Sequence, residues 1–207
     1  MAFEEYDDFE QEQIVKDWIK NNWFTMALGL VIGLGGVFGM NFYKSSQQEK
    51  RYKIANQYKS FTSVMELSEF DEAKTLLSDL EKENGTSFYT IEAHLLLAKE
   101  YIAKNELEKA AAELNSVISA KPDQLITEFV KLRLARVQNA LAKHDEALSL
   151  TKSITIESFK SIAKEIEGDA LVAKGEYEKA VTAFEESIAN GEGYSSKKNI
   201  EMKIENT

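Results

Sequence analysis

Few side chains in this sequence are equipped for chemistry. It has no cysteine, which excludes a thiol nucleophile, a disulfide scaffold and a Cys-ligated zinc or iron–sulfur centre. The two histidines, His94 and His144, stand 50 positions apart on different copies of a repeat described below. His94 falls within a helix and His144 at a turn, so neither is expected to bind metal or act as a general base. A glycine-rich stretch, GLGG at 33–36, lies inside a long uncharged run, a context that excludes a nucleotide-binding loop. Carboxylates are abundant, but pairs such as Glu106 and Lys109, or Glu176 and Lys179, sit at helical spacing and read as solvated faces. These residues form no catalytic constellation, metal site or cofactor site, and the expectation is a protein that is not an enzyme. With 35 acidic against 25 basic residues, the net charge of −10 also argues against nucleic acid as a partner.

The elements that must position these residues are helices. One proline in 207 residues, with plentiful Ala, Leu, Glu and Lys, predicts an all-α chain. Between Lys20 and Lys44 no residue is charged, and the run 23–43 (WFTMALGLVIGLGGVFGMNFY) is long enough as a helix to cross a bilayer of roughly 30 Å. Aromatic residues mark both ends: Trp23 and Phe24 at one, Phe42 and Tyr43 at the other. The run is preceded by an acidic leader and ends in a poor cleavage site, so it reads as an uncleaved signal-anchor in the lipid bilayer. Within it, Gly29, Gly33 and Gly36 offer a face that a second membrane helix could approach closely.

The leader, residues 1–22, carries seven acidic residues against Lys16 and Lys20, half of the net charge. It includes an amphipathic stripe of Ile14, Val15, Trp18 and Ile19. On the far side of the span stand Lys44, Lys50, Arg51, Lys53 and Lys59. Taken alone, that asymmetry puts the C-terminal part in the cytoplasm. The rule is weak, however, when a large domain follows the anchor.

Residues 44–190 hold a repeat. Ala73, Ala110, Ala147 and Ala180 recur at intervals of 37, 37 and 33 residues, each behind a bulky or His residue and two charged ones. A small residue at a fixed place in a period near 34 is the tetratricopeptide signature. Counting the second copy from Ile91, the small, aromatic, small, bulky, small and proline places hold Ala98, Tyr101, Ala110, Leu114, Val117 and Pro122. The last copy, counted from Ser161, supplies Gly168, Leu171, Gly175, Tyr177, Ala180, Phe184 and Ser187. Thr151 in the third copy replaces a bulky residue, and Phe61 in the first stands where a small one belongs. The expected architecture is one transmembrane helix followed by an α-solenoid of about four helical hairpins, each an A and a B helix. Residues 191–207 would begin with a break at Gly191-Glu192-Gly193 and form a capping helix around 195–204.

The A helices of such a solenoid line its concave face. There the first copy would present Tyr58 and Met65, and the second Leu95, Lys99 and Ile102. The third would present Phe129, Leu132, Arg136 and Asn139, and the fourth Ile162, Asp169 and Val172. This is an apolar and aromatic groove with a few charges, suited to extended chains. Some of these residues would pack against the cap instead.

An acidic leader, one Gly-rich anchor and four repeats with a short cap together resemble the ancillary SecYEG translocon subunit family, the YfgM-type proteins of Gram-negative bacteria. The resemblance extends over nearly the whole chain. It is strongest at 104–114 (KNELEKAAAEL), 130–138 (VKLRLARVQ), 168–175 (GDALVAKG) and Met202-Lys203-Ile204. It implies an inner-membrane protein with a cytoplasmic N-terminus and a periplasmic repeat domain. That protein would associate with SecYEG and with the chaperone PpiD, and would help translocating or unfolded envelope proteins leave the channel. The resemblance also implies a link to envelope stress signalling through the Rcs response regulator. A scaffold or regulatory adaptor with its repeats in the cytoplasm is the alternative that the lysine asymmetry favours.

Overall fold

Helix-forming sequence dominates the chain, and only short turns interrupt it. The computed structural model describes residues 8–191 and 197–207, so residues 1–7 of the acidic leader, and Glu192 and Gly193 of the predicted break, lie outside the described residues. Among the described residues there are nine helices and no strand: α1 (Asp8–Glu66), α2 (Phe70–Asn84), α3 (Phe88–Ala103), α4 (Leu107–Ser119), α5 (Gln124–Ala140), α6 (His144–Lys152), α7 (Glu157–Ala173), α8 (Tyr177–Ala189) and α9 (Lys197–Glu205). They fall into two compact units, residues 1–53 and 54–207.

In the first unit α1 carries the uncharged run. It is the one helix among the described residues long and apolar enough to cross a membrane, and none of its apolar window is buried by the protein. Trp23, Phe38 and Phe42 are all well exposed. A soluble core helix would have its apolar side covered; this one has an apolar surface on every side, as lipid-facing helices do.

The second unit is a helical-repeat solenoid. Gln57, near the end of α1, hydrogen-bonds Glu83 and Asn84 of α2, and α3 packs on α4, α5 on α6 and α7 on α8. The repeat alanines Ala73, Ala110, Ala147 and Ala180 are each 0% exposed, because backbones cross where only a methyl group fits. Phe61, the large residue at a small place, is also fully buried and stacks on Tyr58 at 6.0 Å. Two core clusters run through the unit, one from α1 to α5 and one from α5 to α9.

The A-to-B turns share one construction. Ser68, Asn105, Ala142 and Gly175 each adopt positive φ, between 57° and 74°. At each turn the following residue's N–H reaches back five residues, as Glu106 does to the Tyr101 carbonyl at 2.8 Å and Lys143 to Gln138 at 2.9 Å. The positive-φ residue itself donates to a carbonyl three back, as in Asn105 to Ile102. This is the Schellman closure of a helix C-terminus, and it favours Gly or Asn in the left-handed position. Ala142 departs from that preference, since a Cβ in left-handed backbone is strained. Ala142→Gly is therefore expected to raise stability by about 0.5–1 kcal/mol, read from the urea midpoint of the full chain in nanodiscs. An unchanged or lowered midpoint would contradict it.

Two of the A helices have side-chain caps at their start. Ser87 accepts a hydrogen bond from the Thr90 N–H and Asp123 from the Ile126 N–H, so α3 and α5 are N-capped by side chains. The B helices lack such caps among those described, and their first turns carry acids instead: Asp71 and Glu72, Glu108, Asp145 and Glu146, and Glu178.

Candidate functional site

The A helices α3, α5 and α7 bring one apolar cavity together. It measures about 450 Å³, within the range of about 300–1,000 Å³ usual for ligand sites. Leu95, Ala98, Lys99 and Ile102 of α3 face Phe129, Leu132, Arg133, Arg136, Val137 and Ala140 of α5 across it. Leu107 and Leu114 of α4 close the floor, and Ile162 of α7 completes the wall. Ile102 and Phe129 stay 43% and 38% exposed, so apolar surface remains open to a partner.

Not every residue expected on the concave face is there. Tyr58 and Met65 do not line the cavity. Tyr58 packs at 5.2 Å from Tyr89, and Met65 is 7% exposed in the first core cluster, because the large Phe61 fills the first hairpin's junction and draws its neighbours into an aromatic core. Asn139 hydrogen-bonds His144 at 2.5 Å. Asp169 and Val172 face α9, around a separate depression with Phe184, Met202 and Lys203. Gly29, Gly33 and Gly36 lie on α1, and apart from the helix's own neighbouring backbone no atom comes within 4 Å of where a Cβ would be.

The cavity's charge is one-sided. Among the described residues, Lys99, Arg133 and Arg136 line it and no carboxylate does. Arg133 places its guanidinium 4.3 Å above the Phe129 ring. The acids nearest on α7 are engaged by α9, where Lys203 binds Asp169 at 2.7 and 2.8 Å and Glu165 at 3.0 Å, with Arg136 also within electrostatic reach of Asp169. A larger depression of about 730 Å³ between α6, α7 and α8 lacks this character. Its Lys164, Lys174 and Lys179 are each ion-paired, at 2.7, 2.6 and 2.6 Å to Glu186, Asp145 and Glu176.

Four buried polar groups escaped the sequence reading, which placed the carboxylates on solvated faces. Glu128 and Glu165 are only 4% and 3% exposed. Ser161, also buried, donates to the Ser187 carbonyl at 2.8 Å and to that of Gly191 at 3.1 Å. His94 is 6% exposed, with Nδ1 2.7 Å from Glu113 and Nε2 2.9 Å from Glu81. Among the described residues no group of three or more His, Asp and Glu is placed to hold a metal ion.

His94 instead ties α3 to α2 and α4. Burial pulls its pKa down, but the hydrogen bonds to Glu113 and Glu81 outweigh this and raise it above the ordinary value. Only the imidazolium has an N–H for both carboxylates; the neutral ring leaves one without a donor. The raised folded-state pKa means that this stabilisation is complete below about pH 6.5 and is lost as pH rises through the folded value. Urea midpoints of the full chain in nanodiscs should therefore fall between about pH 6 and pH 9 more steeply in the wild type than in His94→Gln. Parallel slopes would refute the link.

Comparison with known proteins agrees with this architecture. A family model described as a tetratricopeptide repeat-like domain matches residues 16–207. A Haemophilus influenzae protein named ancillary SecYEG translocon subunit is 30% identical over 92% of this chain and 93% of its own. An Escherichia coli protein of the same name is 28% identical over 95% of each chain. A third, from Aggregatibacter actinomycetemcomitans, is 27% identical over 95% of this chain and 97% of its own. No solved structure matches the chain. Kinship over nearly the full length, covering both the apolar helix and the repeats, decides the matter: the chain belongs to the ancillary SecYEG translocon subunit family, repeat-domain proteins of a non-catalytic kind.

Proposed function

We propose that this protein is a non-enzymatic, single-pass adaptor of the SecYEG translocon in a bacterial inner membrane. In this reading the leader is cytoplasmic and the repeat domain periplasmic. Together with PpiD, the domain assists newly translocated envelope proteins, and its cavity is where their chains are held. The observation that carries the reading is the kinship itself, because relatives bearing the translocon name align over both the membrane segment and the repeats. The open apolar cavity supports a binding role, and the Gly29, Gly33 and Gly36 face supports a helix partner within the bilayer.

One sequence feature favours a second reading. The five basic residues from Lys44 to Lys59, against two before the span, would suit a cytoplasm-facing scaffold or regulatory adaptor linked to Rcs stress signalling. A C-terminal alkaline phosphatase fusion separates the two, being active only if the repeats are periplasmic. Copurification of SecYEG and PpiD with the tagged full chain tests the partnership. An inactive phosphatase with bright cytoplasmic fluorescence from a green-protein fusion would reject the first reading.

A further inference from the structure

We infer that the cavity between α3, α5 and α7 selects polypeptide segments in which carboxylates accompany apolar side chains. This rests on the reading of the cavity as a chain-binding site and adds the class of chain. The protein as a whole carries −10, yet among the described residues three cations and no carboxylate line this one cavity. The inversion is local and has a visible cause. Lys203 of α9 engages Glu165 and Asp169, the acids that α7 would otherwise turn toward the groove. Glu92, on α3 ahead of Leu95, lies by Tyr58 and is not among the lining residues.

The cations are arranged around the apolar floor. Lys99 and Arg133 are exposed on opposite walls, and Arg136 follows Arg133 one helical turn later. The Arg133 guanidinium lies 4.3 Å over the Phe129 ring, a contact that uses none of its N–H donors and leaves them for a carboxylate. An apolar side chain seated over Leu95 and Leu132 would then bring a neighbouring Glu or Asp within reach of either wall. A basic segment would meet repulsion from both sides, and that repulsion gives discrimination.

The test uses the full chain in nanodiscs and two fluorescein-labelled peptides, one of Leu and Glu and the other with each Glu replaced by Lys. The acidic peptide should bind at least about tenfold more tightly, and its affinity should fall as salt is raised. The double variant Lys99→Glu/Arg133→Glu should lose or reverse that preference while keeping the wild-type urea midpoint; Lys99→Gln/Arg133→Gln should weaken it and serves if the first misfolds. Equal binding of the two peptides, binding of neither, or a preference unchanged by the variants would overturn the inference. So would a second copy as the occupant, seen in sedimentation as a dimer that the double variant dissociates. Copurification with SecYEG is measured on the same variants. A translocon still captured, with no peptide preference, removes this inference alone; a translocon not captured by the wild type removes the reading beneath it.

Discussion

Replacing Glu128 with glutamine is expected to cost the repeat unit about 2–4 kcal/mol. Glu128 belongs to α5 but serves the start of α7, which has no side-chain cap of its own. One carboxylate oxygen accepts from the backbone N–H groups of Thr155 and Ile156 at 3.0 and 2.9 Å. The other accepts from the Thr155 hydroxyl at 2.7 Å and the Gln124 amide at 3.0 Å. Burial pushes the carboxyl pKa up, but these four donors outweigh it and lower it to about 2. Glutamine keeps the shape, yet its NH₂ would confront donors where an acceptor is needed.

The pH dependence follows in sign. Because the folded-state pKa lies below the unfolded value of 4.5, the stabilisation is present above pH 4.5 and is lost as pH falls toward about 2. Urea unfolding of the full chain in nanodiscs, followed by far-ultraviolet circular dichroism, should show the wild type losing its advantage over Glu128→Gln across that window. A difference below about 0.5 kcal/mol at neutral pH, or one indifferent to acid, would refute the role.

Gly168→Ala should destabilise by about 1–3 kcal/mol, although alanine is the better helix former. A Cβ there would stand 2.4 Å from Phe184 Cε1 and 2.6 Å from Cδ1. Phe184 is 1% exposed and cannot swing aside without opening the α7–α8 junction. The partner substitution Phe184→Leu should also destabilise, by removing ring contacts from a filled core. Combined, the two should cost less than the sum of their separate effects by about 0.5–3 kcal/mol, since the smaller side chain makes room for the methyl. Strict additivity in the double-mutant cycle would show that the close approach has no energetic consequence.

The repeat was legible because backbone crossings demand small residues at a fixed period, and Ala73, Ala110, Ala147 and Ala180 answer that demand directly. The apolar run on α1 was legible for an equally simple reason: a charge-free stretch of that length has few other uses. Seven of the twelve residues expected on the concave face, Leu95, Lys99, Ile102, Phe129, Leu132, Arg136 and Ile162, line one cavity, because equivalent places on A helices point the same way in successive copies. Tyr58 and Met65 do not, since the first copy is irregular at Phe61 and packs its neighbours inward.

The buried polar ties needed a different comparison. Aligned by repeat place, Ile54, Ile91, Glu128 and Ser161 occupy one position, and in the last two copies a polar group stands where isoleucine stands earlier. Both polar residues bond backbone at or just after the B helix of their own hairpin. The signal was present in the sequence. Its meaning was not, because whether a carboxylate at that place meets water or amide groups depends on how the next hairpin docks. His94 was harder still, as its two glutamates come from helices on either side of its own.

A periodic array has no intrinsic length. Each hairpin presents at its leading edge the same kind of surface that its predecessor accepted, so a solenoid left open resembles a growing polymer end. Helix α9 answers this: Ile200 is 1% exposed in the second core cluster, while Lys203 lies 5.5 Å from the Phe184 ring centre and closes on Glu165 and Asp169. Ile200 and Lys203 thus act on the α7–α8 hairpin as an end group does in polymer chemistry, occupying the surface on which a further repeat would add.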